Sequence, residues 1–203
     1  METNSQYYRV IDNLIHPIQQ QQLEKIIYSN DQIHWRYQHN FERRDESFSV
    51  ELRKNDENIL KPNCGIFFLN LVENNKIISE YFETFSIVNK AVMTKFNVEI
   101  KNLLRMRINL VMPYHQVTDK YTTPHFDYPG PTAKTVIYYI TGTEGDTALF
   151  EETDIADTNV SKKTLIGRIE PKKGRAVIFD SHRYHAMCMP NKNIRSVINL
   201  IFE

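Results

Sequence analysis

The sequence predicts an α+β domain that is mainly β, with N-terminal helices packed on a β-sandwich or barrel. Three observations carry this. Residues 103–203 break into six short β-branched and aromatic runs separated by turn signals. Residues 1–100 carry apolar positions at helical spacing. No repeat, Ser/Gly linker or low-complexity tract divides the chain. Residues 1–203 therefore read as one domain, with 1–100 as a helical support region and 103–203 as the β core.

Tyr8 to Ile11 reads as a short opening strand. Pro17 suits a first helical turn, where its missing N–H costs nothing, and Ile18, Leu23, Ile26 and Ile27 repeat at helix spacing behind it. "CGIFFLNL" reads as a buried strand, or as apolar core ahead of the next helix. From Ile77 to Phe96, Tyr81, Phe82, Phe85, Val88, Val92 and Met93 continue the spacing of a long amphipathic helix. Beyond residue 103, "LLRMRINLVMP", "KTVIYYI", "DTALFEE", "KKTLIGRIEP", "GRAVIFD" and "IRSVINLIFE" read as strands. "YPGP", "TGTEGD", "EPKKG" and "MPNKN" supply the turns between them.

Lys plus Arg and Asp plus Glu number 25 each, so the formal net charge is zero. That argues against a protein that grips nucleic acid by bulk charge. The start of the chain lacks a basic-then-apolar leader, and no apolar run reaches membrane-spanning length. Cys64 and Cys188 make no CxxC or zinc-finger spacing, so free thiols in a reducing cytoplasmic setting are expected.

The chemistry concentrates in "PHFDYPGPTAKTVIYYI", residues 124–140. At the end of a strand, side chains two positions apart point the same way, so the His125 imidazole and Asp127 carboxylate converge on one point. A third ligand is expected from "FDSHRYH", which offers His182 and His185. Two His and one carboxylate leave coordination positions open, as non-haem Fe(II) oxygenases require, whereas a structural zinc site is closed by four ligands. Arg195 lies on the next strand, and its planar guanidinium suits a carboxylate held by two parallel hydrogen bonds. Tyr138 or Tyr139 can add a hydroxyl, and strand alternation lets only one of them point inward. Alone, each of these is weak: HxD is common, a lone His belongs in a loop and a lone Arg in a surface ion pair. Their order along the chain is what points to a metal site.

These segments resemble the Fe(II)- and 2-oxoglutarate-dependent dioxygenases, in particular the prolyl 4-hydroxylase-like branch with its small bacterial and viral members. The resemblance runs through "YYRVIDNLIHPIQQQQLEKII", "RMRINLVMPYHQVTDKYTTPHFDY", "TVIYYITGTEGDTALFEE" and "IEPKKGRAVIFDSHRYHAMCMPNKNIRSVINLIF". It implies a double-stranded β-helix (jelly-roll) core with the N-terminal helices packed on one sheet. It implies His125, Asp127 and His185 as ligands of Fe(II), and Arg195 and Tyr139 as the residues that bind 2-oxoglutarate. Tyr114 is a further candidate for that pocket. His185 is preferred to His182 because the family reads Phe-Asp-Ser, three residues, then His. Cofactors implied are Fe(II), 2-oxoglutarate and O2, with ascorbate as a candidate addition. Asp180, Asn109 and Asn199 are candidates to support the ligands.

The resemblance implies hydroxylation of a substrate C–H bond. A prolyl residue in a protein or peptide is the first choice by analogy, and a free amino acid or other small metabolite the second. A nucleobase ranks third, since only Phe202 and Glu203 follow "SVINLI", without the further arginines of base-repair members. A non-catalytic jelly-roll binding module is the alternative of a different class. Cupins present HxH, which is absent, and a degenerate enzyme is expected to have lost a ligand or the anchor. The loop "EETDIADTNVSKK", residues 151–163, is a candidate lid or a solvated hairpin.

Overall fold

The computed structural model describes residues 2–38, 65–114, 120–142, 144–154 and 163–203. Cys64 and residues 155–162 of the candidate lid lie outside the described residues.

Twelve described strands and two helices alternate along the chain. The first half contains β1 (Glu2–Asn4), β2 (Tyr8–Ile11), α1 (Pro17–Ser29), β3 (Arg36–Gln38), β4 (Ile66–Glu73), β5 (Lys76–Ile77) and α2 (Phe82–Phe96). The second contains β6 (Leu103–Val111), β7 (Lys134–Tyr139), β8 (Thr147–Phe150), β9 (Leu165–Ile169), β10 (Ala176–Asp180), β11 (His185–Met187) and β12 (Arg195–Phe202). All six strands expected after residue 103 are present, and the short β11 adds a seventh.

The large sheet runs β1-β2-β10-β7-β12-β6-β4-β3, with β5 paired to β4, and the small sheet runs β11-β8-β9. The two form a jelly roll. Both faces of the large sheet are covered, which explains why β12 is buried at all eight positions. On one face, Met106, Ile108, Val136, Tyr138, Ile198 and Leu200 pack with Leu23 and Ile27 of α1 and with Phe85, Val88, Val92 and Phe96 of α2. On the other, Ile137, Tyr139, Val177, Phe179 and Val197 meet Leu149 and Ile169 of the small sheet. Period-2 alternation thus sorts residues between two buried layers instead of between core and water.

Two sequence expectations need correction. The helix expected from Ile77 begins at Phe82. Asn74 and Asn75 both take positive φ, 51° and 58°, and reverse the chain so that Ile77 pairs with Val72. A two-residue turn of this kind matches strand twist and favours Asn. Ile77 and Ile78 are left exposed, so their apparent helical spacing was coincidental. The first hundred residues are also more than a helical support, since β1 to β5 extend the large sheet. Strands of two or three residues are too short for alternation to be read.

Asp12, just after β2, fixes the turn before β10. Arg175 Nε donates to its Oδ1 at 2.7 Å and Lys172 Nζ to its Oδ2 at 2.9 Å. The hydrogen bond from Arg175 is the largest influence on this carboxyl; burial opposes it, and the pKa falls from 3.8 to about 2. A depressed folded-state pKa means the stabilisation is complete above the ordinary value and is lost as pH falls through the folded one. Asp12→Asn is therefore expected to lose about 2 kcal/mol at pH 7. Urea midpoints compared at pH 7 and pH 2 check this, because most of the deficit should be gone at the lower pH.

Candidate active site

His125 N donates to His185 O at 2.9 Å, and His185 N returns the bond to His125 O at 2.8 Å. The two residues therefore face each other across an antiparallel bridge, with ring centroids 4.5 Å apart. Asp127 N donates to Ser181 O at 3.0 Å, which brings the turn after His125 against the end of β10. The candidate ligand atoms of His125, Asp127 and His185 all lie within 4.8 Å of one another. His182 is not part of this group.

The donor set fits a divalent transition ion. His125 Nδ1 faces Thr123 O at 3.3 Å, and His185 Nδ1 faces Arg183 O at 3.2 Å. A carbonyl only accepts, so each Nδ1 carries the proton and each Nε2 keeps its lone pair for a metal. Burial first, then repulsion from His185, pushes the His125 pKa down to about 3, so the imidazole is neutral at pH 7. For Asp127, burial is the largest single influence and works against ionisation. The Arg105 charge first, then the electrostatic influence of the two imidazoles and a hydrogen bond from Asn199, together outweigh it and hold the carboxyl below its ordinary range. Arg105 Nη2 donates to Asp127 Oδ1 at 2.5 Å. Thr135 Oγ1 and Asn199 Nδ2 each donate to Oδ2 at 3.1 Å. Oδ2 lies 3.6 Å from His185 Nε2 and so faces the imidazoles.

The triad opens into a cavity of about 320 Å³, and Arg195 stands in the same wall. Arg195 is 3% exposed, and no carboxylate pairs with it among the described residues. Its Nε donates to Gly145 O at 2.7 Å and its Nη2 to Thr147 Oγ1 at 3.1 Å, while Nη1 lies 3.4 Å from Met187 Sδ. Its direct partners are all neutral and Asp146 acts on it only through space, so the buried guanidinium is costly unless an anion joins it.

The tyrosines divide as alternation requires. Tyr138 faces the helices. Tyr139 faces the small sheet, with the Arg195 guanidinium carbon 5.4 Å from its ring centroid. Its hydroxyl is bonded to Thr147 Oγ1 at 2.6 Å, and it reaches the cavity only through Thr147 and Arg195. Tyr114 packs toward Ile66, Phe68 and Met189 and is not in the cavity wall. Asn199 touches Asp127, and Asn109 lines the cavity with a buried Oδ1 that has no partner among the described residues. Asp180 instead pairs with Lys134, outside the cavity.

Arg105, Arg107, Thr135 and Thr147 were missed as site residues. The two arginines had a legible signal. In "RMRINL", Arg105, Arg107 and Asn109 alternate with Met106, Ile108 and Leu110, so a polar stripe lies on the face opposite the helix-packed one. Nothing local marks Thr135 or Thr147.

Residues 111–203 match the family model described as the 2OG-Fe(II) oxygenase superfamily. No curated protein sequence matches the chain. Among solved structures, the fold is similar to a prolyl hydroxylase from Trichoplax adhaerens in complex with a hypoxia inducible factor oxygen degradation domain peptide fragment. The TM-score is 0.60 at 14% identity, covering 98% of this chain and 84% of that one. The viral collagen prolyl hydroxylase of Paramecium Bursaria Chlorella virus-1, in its 2OG complex, gives a TM-score of 0.50 at 14% identity over 98% and 96% of the two chains. The non-heme alpha ketoglutarate dependent epimerase SnoN from nogalamycin biosynthesis gives 0.57 at 8% identity over 97% and 77%. Identities this low establish a shared fold and not a shared substrate.

Proposed function

We propose, from the membership of residues 111–203 in the 2OG-Fe(II) oxygenase superfamily, that this chain hydroxylates a substrate C–H bond, with a prolyl residue in a protein or peptide as the first substrate class to test. The general reaction and its Fe(II), 2-oxoglutarate and O2 come with the family. The prolyl reading draws support from the two prolyl hydroxylases of similar fold. One observation carries the oxygenase reading: a buried guanidinium that no carboxylate contacts among the described residues shares one cavity with a His-Asp-His cluster.

His125, Asp127 and His185 would hold the iron. Bound there with 2-oxoglutarate and O2, it would supply the oxidising chemistry, with one oxygen atom going to the substrate and the other to succinate as CO2 leaves. The chain's own contribution is placement. The Thr123 and Arg183 carbonyls fix both imidazoles in the ligating tautomer. Arg105, Thr135 and Asn199 fix the carboxylate plane. Arg195 offers donors to the far carboxylate of 2-oxoglutarate, with Thr147 linking it to the Tyr139 hydroxyl.

Gly145 is a positioning residue for Arg195. Its φ is +100°, and an added Cβ would stand 2.8 Å from both Arg195 Cδ and Cys188 O. Gly145→Ala is expected to strain the turn by about 1–2 kcal/mol and displace the guanidinium. The check is calorimetric titration of 2-oxoglutarate, which should bind at least ~10-fold more weakly, a loss of about 1.4 kcal/mol.

The test of the function itself is succinate release by protein supplied with Fe(II), 2-oxoglutarate and O2, joined to mass spectrometry of prolyl peptides for a gain of one oxygen. Absence of succinate under all conditions would remove the oxygenase reading. Succinate without peptide oxidation would remove only the prolyl one.

A further inference from the structure

Strand β4 breaks its own alternation before it ends. Phe67, Leu69 and Leu71 pack toward the helices, which leaves Ile66, Phe68 and Asn70 on the cavity side of the sheet. Strict alternation would turn Val72 to the cavity and Glu73 away from it. Instead the register shifts between Asn70 and Val72, so that Val72 pairs with Met106 and Glu73 with Arg105. Leu71 and Val72 therefore both join the buried core on the helix side, and Glu73 returns to the cavity wall. An extra residue of this kind re-aims the side chains that follow it, and such bulges are over-represented beside active sites.

The carboxylate placed in this way has no cation in contact with it among the described residues. Arg105 stands directly opposite in register, yet its Nη2 turns to Asp127 Oδ1 and Asn199 Oδ1. The hydrogen bond that Glu73 accepts comes from Asn70 Nδ2, which reaches Oε2 at 3.2 Å. Asn70 Oδ1 accepts from Arg107 Nε at 2.6 Å, and this fixes the amide with its NH2 toward Glu73. An ionised carboxylate offers about four acceptor positions, of which the amide fills one. Glu73 lines the same cavity as His125, Asp127 and His185. At about 320 Å³, that cavity is at the small end for ligand sites and must also admit 2-oxoglutarate. A residue-sized group oxidised at the triad therefore has Glu73 among its neighbours.

We infer that Glu73 selects the substrate by a protonated nitrogen. The substrate is an amine, or a residue beside a cationic side chain, held by Glu73 with its oxidised C–H bond toward the triad. This rests on the oxygenase reading and narrows its substrate class. A charge-assisted N–H···O bond is about twice as strong as a neutral one, so the nitrogen's charge is what the site reads.

The experiment is calorimetric titration of the full chain loaded with Mn(II) and 2-oxoglutarate. One series pairs each free amino acid with its N-acetyl derivative, which lacks the α-ammonium. The other pairs N-acetylated prolyl peptides carrying Lys next to Pro with the same peptides carrying Nε-acetyl-lysine. The expected result is that in at least one series a cationic member binds at least ~10-fold more tightly than its neutral partner, about 1.4 kcal/mol. A preference in the first series identifies a free amine, and in the second a cationic neighbour within a peptide. The preference should collapse toward parity in Glu73→Gln, which keeps an acceptor for Asn70 and loses the charge. Glu73→Ala takes its place if that variant fails to fold. Parity in both series, no binding by any cationic member, or a preference that survives loss of the Glu73 charge overturns the inference. Failure of 2-oxoglutarate itself to bind overturns the oxygenase reading along with it.

Discussion

Arg195→Met should abolish 2-oxoglutarate-dependent succinate formation while leaving the fold at least as stable as the parent. Most buried arginines behave otherwise, because removing one partner of a buried pair strands the other charge. Here no carboxylate among the described residues is in contact with it, and Asp146 acts on it only through space. Burial is the main influence on this group, and it lowers the guanidinium pKa, the direction expected of a charge that the fold tolerates at a cost. Met fills a similar volume and removes that cost. Gly145 O and Thr147 Oγ1 lose a donor, but Thr147 keeps the Tyr139 hydroxyl at 2.6 Å. Co-substrate binding should fall by about 2–5 kcal/mol, at least ~30-fold, since the far carboxylate loses a buried charge-assisted donor. Arg195→Lys keeps the charge without the fork and should fall between the two. Thermal melts beside succinate assays at saturating Fe(II) check both halves. A variant that melts early yet turns over 2-oxoglutarate with an unchanged KM would mean that the anion is held elsewhere.

What could be read from the sequence follows from how local each signal is. Strands β6, β7, β8, β9, β10 and β12 were legible because each spans four or more residues bounded by turn formers. β1, β3, β5 and β11 were not, because two or three residues cannot display a period. The start of α2 was misread because Ile77 and Ile78 happen to continue its spacing, while the informative pair was Asn74 and Asn75 just before them. In the site, His125 and Asp127 announce themselves through their two-residue interval. His185 depends on the chain returning antiparallel to position 125, which spacing suggests and only the fold displays. Arg105 and Arg107 carried a readable alternation, but a charged stripe on a strand is ordinarily a solvated face. It becomes a cavity wall only because β6 lies inside a sheet whose other face is already taken by the helices.

Asp127→Ala tests the other pole of the cavity, and its two effects have separate origins. In metal-free protein, Asp127 is the carboxylate beside Arg105, whose side chain is 27% exposed against 5% for Asp127. Deleting it leaves a half-buried guanidinium with Asn199 as its remaining acceptor, and the fold should lose about 3 kcal/mol. Asp127→Asn keeps an acceptor oxygen and should recover part of that loss. Metal adds a second effect. A divalent ion at a hundred times its dissociation constant raises the stability of the folded state by about 2.7 kcal/mol, but only where it binds. The parent should therefore melt higher in Mn(II), whereas Asp127→Ala and Asp127→Asn should melt at the same temperature with or without it. Arg105→Gln sharpens the distinction. It removes the ion pair but none of the three candidate ligands, so its metal-free melt should drop while a shift in Mn(II) persists. If Asp127→Ala kept the full metal-induced shift, the carboxylate would be a structural partner of Arg105 and not a ligand, and the two imidazoles would need a different third donor.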